Sequence, residues 1–255
     1  MPIRYARRLT GRKRSVVANR HLGYALAFVA GAINAGGFLA VQQYTSHMTG
    51  IVSAMADHIA LGAYDLVLGG LGGVLSFVLG AIASTLMVNY SKRRRLHSEN
   101  ALPLLCEAAL LLCFGLLGAT LATIEGLFVP LTVMLLCFIM GLQNALITKL
   151  SRAEIRTTHI TGIVTDIGIE LGKLLYWNRH GDRHGRVQVD RQRLQVLSLL
   201  ALYFFMGGIA GAFGFNGLGY IATLPLALLL VGLALVPAVD DLRSGWRRFR
   251  RARQG

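Results

Sequence analysis

"TSHMTGIVS" (Thr45–Ser53) and "TTHITGIVT" (Thr157–Thr165) are nearly the same phrase, a histidine set between hydroxyl residues ahead of Thr-Gly or its equivalent. The likeness extends outward from both. "GAINA" (Gly31–Ala35) matches "GLQNA" (Gly141–Ala145), which aligns Asn34 with Asn144. "FVLGAIAS" (Phe77–Ser84) matches "FFMGGIAG" (Phe204–Gly211). The matches fall in the same order, so the chain reads as a duplication of one unit: an apolar span, a polar phrase, then two more spans. Repeats of this kind decide architecture before single residues do.

The apolar setting makes the polar phrases conspicuous. The chain has 255 residues, of which 54% are hydrophobic, above the roughly 45–50% usual for soluble domains. Its mean hydropathy is +0.55. Apolar stretches at about 23–42, 64–90, 101–122, 126–148, 194–215 and 217–238 approach or exceed the ~20 residues that cross a bilayer as a helix. A soluble fold with six such helices would keep no water-facing surface. The expectation is an all-α polytopic membrane protein with six transmembrane helices.

Charge placement predicts the orientation. Arg4, Arg7, Arg8, Arg12, Lys13, Arg14 and Arg20 precede the first span, and "SKRRR" (Ser91–Arg95) lies between spans two and three. Lys149, Arg152, Arg156, Lys173, Arg179, Arg183, Arg186, Arg191 and Arg193 lie between spans four and five, and six arginines follow span six. The alternate connections, 43–63, 123–125 and 214–219, hold no Lys or Arg. Basic loops stay cytoplasmic, so both termini are expected inside. The net charge of +14 then reads as topology plus attraction to anionic headgroups, and nucleic acid is not an expected partner. The first apolar stretch exceeds the 7–15 residues of a signal-peptide core and is read as a span.

Three spans per unit is an odd number, so the second copy enters the membrane from the other side. The halves are expected as inverted repeats: 1–22 a basic cytoplasmic segment, 23–122 the first three-helix repeat, 123–238 the second with a polar linker about 178–193, and 239–255 a basic tail. Inverted repeats with interrupted helices at matching places point to a transporter site near the midplane. "THITGIVTDIGIELG" (Thr158–Gly172) begins with a hydroxyl residue before an apolar run, a helix-start signal. Each unit is therefore expected to carry a broken or re-entrant helix after its first span, with exposed N–H groups at its start. Such backbone is tolerated at membrane depth only where protein or a wet cavity covers it.

The candidate substrate-binding or coupling residues are Asn34, Thr45, Ser46, His47 and Thr49 in the first copy. In the second they are Asn144, Thr158, His159, Thr161, Asp166 and Glu170. His159, Asp166 and Glu170 fall near one helical stripe, and His47, Ala54 and His58 are their counterparts. A titratable stripe relays protons or holds a cation; the plainer reading of Glu170 is a pair with Lys173 across one helical turn. Asn34 and Asn144 are mid-span amides that serve either as interhelical ties or as solute-facing groups, with Gln143, Gln42 and Gln43 nearby. Cys106, Cys113 and Cys137 have no metal-ligand spacing and read as packing residues. Gly69, Gly73, Gly80, Ser84, Gly207 and Gly211 form small-x-x-x-small patterns that let spans two and five be approached closely.

The run "GAINAGGFLAVQQYTSHMTGIVSAMADHIALG" (Gly31–Gly62) resembles the signature of the YoaK family, a domain-of-unknown-function family of bacterial inner-membrane proteins. The resemblance rests on Asn34, Thr45, Ser46, His47, Thr49 and Gly50 and spans the first to the sixth apolar stretch. It implies a multi-pass protein of the bacterial cytoplasmic membrane.

The residues themselves favour a secondary transporter of a small polar or anionic solute, coupled to protons, without a cofactor or bound metal. No Gly-rich phosphate loop with a Lys is written in the chain, and a homodimer is compatible with its small-residue faces. Two other classes remain: a non-transporting membrane assembly or sensor protein, and an intramembrane metal enzyme on His47, His58 and His159. Zinc needs three or four ligands in one place, and no H-E-x-x-H or Cys pair supplies them, so enzyme activity is not expected.

Overall fold

The computed structural model describes residues 16–94, 99–121, 125–150, 158–176, 187–235 and 239. The basic terminal segments and most of the linker at 178–193 lie outside the described residues. Seven α-helices and a 3-10 turn follow in order: α1 Val16–Val41, α2 Met48–Ala60, α3 Tyr64–Arg93, α4 Ala101–Leu121, α5 Glu125–Leu150, α6 Ile160–Leu175, α7 Arg191–Leu218 and the turn Gly219–Ala222. Residues 223–235 form a further helix, α8. The described residues contain no strand.

Five helical runs are long and apolar enough to cross a membrane: Val17–Val41, Tyr64–Arg93, Ala101–Gly118, Val129–Lys149 and Arg191–Leu235. The last covers 45 residues, and at 1.5 Å per residue a straight helix of that length would far exceed a hydrocarbon core of ~30 Å. It is interrupted at Gly219, which takes φ +60°, a left-handed conformation that costs glycine little. Beyond the turn, Leu226, Ala227, Leu230 and Ala234 enter the same core as α1, α4 and α5. Five long runs are therefore seen among the described residues where six stretches were read, because the stretches read at 194–215 and 217–238 form one helical run with a tight turn inside it.

What α3 and α7 bury is the reverse of a soluble protein. On α3 the buried stripe is Gly73, Ser76, Gly80, Ser84, Val88 and Ser91, while Leu66, Leu68, Leu75, Leu79 and Leu86 are exposed. On α7, Gly207 and Gly211 are buried and Phe205, Met206 and Phe213 are exposed. Large apolar side chains facing outward suit lipid, and small ones inside let backbones come close. The core holds instead the leucines, isoleucines and alanines of α1, α4 and α5, among them Leu22, Leu26, Ile33, Leu104, Leu111, Leu136 and Ile139.

The two most extensive helix pairs are α1 with α7 and α3 with α5, and α1 also packs on α5. The glycines set the spacing of both. A Cβ on Gly207 would overlap the Phe28 carbonyl of α1, and one on Gly80 would overlap the Phe138 carbonyl of α5. The reciprocal sites behave alike: Gly31 lies on the Phe204 carbonyl, and Gly141 on the Phe77 carbonyl. Phe28 and Phe138, Gly31 and Gly141, Phe77 and Phe204, and Gly80 and Gly207 are equivalent positions in the two copies. Equivalent residues thus make equivalent contacts, each first span clasping the second span of the other copy. The small residues of α3 and α7 therefore serve contacts with α5 and α1, and span two does not meet span five.

Candidate functional site

The repeated phrases form two short helices, α2 and α6, laid on α3 and α7 respectively. Their first residues carry the same geometry. His47 caps α2 with φ −95° and ψ 72°, and His159 caps α6 with φ −83° and ψ 55°; neither side chain makes a capping hydrogen bond. The hydroxyl residue expected to cap each helix sits one place earlier and does something else. Ser46 Oγ donates to Asn34 Oδ1 at 2.8 Å, and Thr158 Oγ1 donates to Asn144 Oδ1 at 2.7 Å. The same tie occurs in both copies, fastening each short helix back onto the span before it. Asn144 Nδ2 also donates to Met140 O, so this amide spends both of its polar ends on the protein.

The remaining candidates fall around these ties. Thr45 is fully buried and its Oγ1 has no hydrogen-bond partner among the described residues. His47, Thr49, His159 and Thr161 are exposed; Thr161 O accepts from Thr165 Oγ1. Gln143 is fully buried and its Nε2 donates to Leu26 O on α1 at 3.0 Å. The two short helices do not pack along one another; the link between their starts runs through α1 and α5, which carry Asn34 and Asn144 and pack together.

Beside α2 lies an open cleft of about 790 Å³. Its lining takes His47, Ala54, Met55 and His58 from α2, Gln42, Gln43 and Tyr44 from the preceding loop, Asp65 and Gly69 from α3, and Pro130 and Met134 from α5. The loop is bent sharply: Gln42 has φ +55°, a left-handed conformation uncommon for a residue with a side chain, and Tyr44 folds back to stack on Phe38. The cleft is apolar with a few convergent polar groups, the usual make-up of a small-molecule site. Among the described residues, Lys and Arg are absent from its lining, and Asp65 is its single carboxylate.

The matching place in the second copy carries a charge network instead. Glu170, the counterpart of His58, is 1% exposed and pairs with Lys173 at 2.8 Å, and its second oxygen accepts from the Asp190 backbone N–H at 2.9 Å. Asp190 in turn caps α7 by accepting from Arg193 N, and Arg193 reaches Asp166 at 3.1 Å. In the first copy Ala63 stands where Asp190 does. The Lys173 hydrogen bond and then the Asp190 N–H hold the Glu170 carboxyl below its ordinary range, against a smaller opposing effect of burial. Its cover comes from Lys173 and the 187–190 segment lying over it at the surface. His159 shares the helical stripe of these carboxylates in sequence but points to solvent, outside the network.

Sequence reasoning missed two residues. Asp65 joins the cleft only because α3 folds against α2. Glu107 is fully buried on α4, and neither carboxylate oxygen has a partner among the described residues. It is the lone acid in the apolar run 101–121, and that isolation is the signal that would have found it. No group of three or more His, Cys, Asp or Glu among the described residues is arranged to hold a metal.

Long apolar helices with small residues inward and large ones outward define a multi-pass membrane protein. A family model described as "Protein of unknown function (DUF1275)" matches residues 22–236, and the chain belongs to that family. It is also similar to the UPF0700 transmembrane protein YoaK of Bacillus subtilis (strain 168), with 27% identity over 157 residues, covering 60% of this chain and 68% of the relative. No solved structure matches.

Proposed function

We propose that the protein is a secondary transporter of the bacterial cytoplasmic membrane, with both termini inside, six spans and two inverted three-helix repeats. The observation that carries the reading is an asymmetry between equivalent places. In one copy the short helix borders an open cleft through His47 and His58; in the other, Glu170 and Asp166 are bound to Lys173, Asp190 and Arg193. A carrier that exposes its site to one side at a time needs this relation between its halves, one entrance open while its counterpart is held closed. The paired Asn–hydroxyl ties and the reciprocal glycine contacts support a two-fold relation between the repeats. Alternate loops free of Lys and Arg support their opposite orientation.

The solute is a small polar organic molecule with an apolar part. Asp65, the one formally charged liner of the cleft among the described residues, favours a neutral or cationic solute over the anionic one suggested by the helix starts. Proteoliposome uptake across a panel of amines, polar neutral solutes and organic anions tests this. At least one solute should accumulate in vesicles carrying the wild type. Gly69→Trp, placed where a side chain meets open space in the cleft, should abolish that flux, as should a His47→Ala/His159→Ala double variant. Indistinguishable rates for wild type and variants, or no flux for any solute, sink the reading.

A further inference from the structure

Glu107 lies outside the cleft and the ion-pair network. It follows the start of α4 by about two helical turns, on the buried stripe it shares with Leu104, Ala108 and Leu111. Its solvent exposure is 0%, and both carboxylate oxygens lack a hydrogen-bond partner among the described residues. A bare carboxylate in such a place is strongly disfavoured, so it is neutralised by a bound proton or by another cation. The buried faces that pack on α4 supply none among the described residues: α3 presents Ser84, Val88 and Ser91, α5 presents Leu136, Ile139 and Met140, and the 219–222 turn presents Tyr220. The cations of α3 and α5, Lys92, Arg93 and Lys149, stand in the last turns of those helices, and Lys149 is bonded to Asn89.

The neutral groups around it are informative. Ser84 Oγ, Ser91 Oγ and Gln143 Oε1 are all buried oxygens without partners. Antiparallel helices joined by the connections at 95–100 and 122–124 bring Val88 on α3 and Ile139 on α5 level with Glu107. Ser84, Ser91 and Gln143 then lie within about one turn of that level. Buried polar atoms are rarely left unsatisfied without a reason. Here three buried oxygens without partners and an unpaired carboxylate occupy the same half of the bundle, the half toward the basic loop ends. A buried carboxylate with no donor calls for a small positive occupant, and the hydroxyl and amide oxygens are further acceptors at that level.

We propose that the buried, unpartnered Glu107 carboxylate is an exchangeable site for one monovalent cation, a proton or a sodium ion. It deepens the transporter reading by naming the coupling site, and it places that site on α4, apart from the histidine phrases. Occupancy neutralises the carboxylate and lets α4 stay packed against α5 and the 219–222 turn. An empty site leaves a charge in the core and favours a looser arrangement, which is how ion binding biases a two-state carrier.

Binding is tested on purified full-length protein in detergent, independently of any flux. In the sodium arm, NaCl against choline chloride raises the melting temperature of the wild type by several degrees, the linkage expected of a ligand that binds the folded state; Glu107→Gln loses the response. In the proton arm, difference infrared spectra in sodium-free buffer show the carbonyl stretch of a protonated carboxylic acid that titrates with pH, and Glu107→Gln removes it. Glu107→Asp guards against misfolding of the amide variant: it should keep either response with a shifted midpoint. A wild type with neither a sodium-dependent melting shift nor a pH-titrating carboxylic-acid band removed by Glu107→Gln overturns the site, and a band that does not titrate counts against it. If uptake is found, Glu107→Gln should abolish gradient-driven accumulation while leaving solute exchange at equilibrium. If no solute is ever transported, the binding result still stands or falls by itself.

Discussion

Thr158 donates its hydroxyl to the Asn144 amide oxygen across 2.7 Å, and Ser46 stands in the same relation to Asn34 at 2.8 Å. A polar pair inside a membrane protein is satisfied only by its partner, so each tie fixes where the short helix leaves its span. Double-mutant cycles with Asn144→Ala and Thr158→Ala should give a coupling of about 0.6 kcal/mol, and no more than ~1.7. Denaturant unfolding in detergent reads it, and the cycle of Asn34→Ala with Ser46→Ala should agree. A coupling in one copy and none in the other would break the equivalence of the two ties.

Glycine substitutions separate close approach from open surface. Gly207→Ala puts a methyl into the Phe28 carbonyl and Gly80→Ala into the Phe138 carbonyl; each should cost about 1–3 kcal/mol by overpacking. On α6, Gly168 meets no atom within 4 Å of an added Cβ. Gly168→Ala should therefore stabilise by about 0.4–1 kcal/mol through reduced unfolded-state freedom. Melting temperatures of the three variants should split in sign.

Acid should loosen α6 first. The Glu170 carboxyl is held below its ordinary range by Lys173 and the Asp190 N–H, so its contribution is complete above the unfolded carboxylate range. It is lost as pH falls through the depressed folded value. Hydrogen exchange of 160–175 should accelerate in that acid window in the wild type. In Glu170→Gln exchange should already be fast at neutral pH and should change little on acidification. Equal acid sensitivity in both would remove Glu170 from the account.

Opposite orientation of the copies predicts opposite labelling. In a cysteine-free background, Asp57→Cys on α2 and Thr165→Cys on α6 both replace exposed residues. A membrane-impermeant thiol reagent should reach Asp57→Cys from the periplasmic side of intact cells, and Thr165→Cys only after the inner face is opened. Labelling of both from one side refutes the inversion.

Much of this was legible in the linear order of residues. Duplicated spelling aligned Asn34 with Asn144, Gly80 with Gly207 and Phe77 with Phe204, and apolar run lengths located the long helices, because helix formation and lipid burial depend on local composition. The break between the last two apolar stretches was placed near Gly217, and a turn falls at Gly219–Ala222, close to the glycine able to adopt φ +60°.

The tertiary structure decided what those residues touch. No local pattern says that α1 clasps α7 and α5 clasps α3, since small-x-x-x-small faces suit any close neighbour. Glu170 and His58 occupy equivalent positions, yet one is locked by Lys173 and Asp190 while the other borders a cleft. Asp190 stands where the first copy has Ala63, and Arg193 comes from a different helix than Asp166. Sequence therefore determined the elements and their repeat, which short-range forces write. Which polar groups are paired, open or left bare like Glu107 depended on side chains brought together from distant parts of the chain, and only packing could settle that.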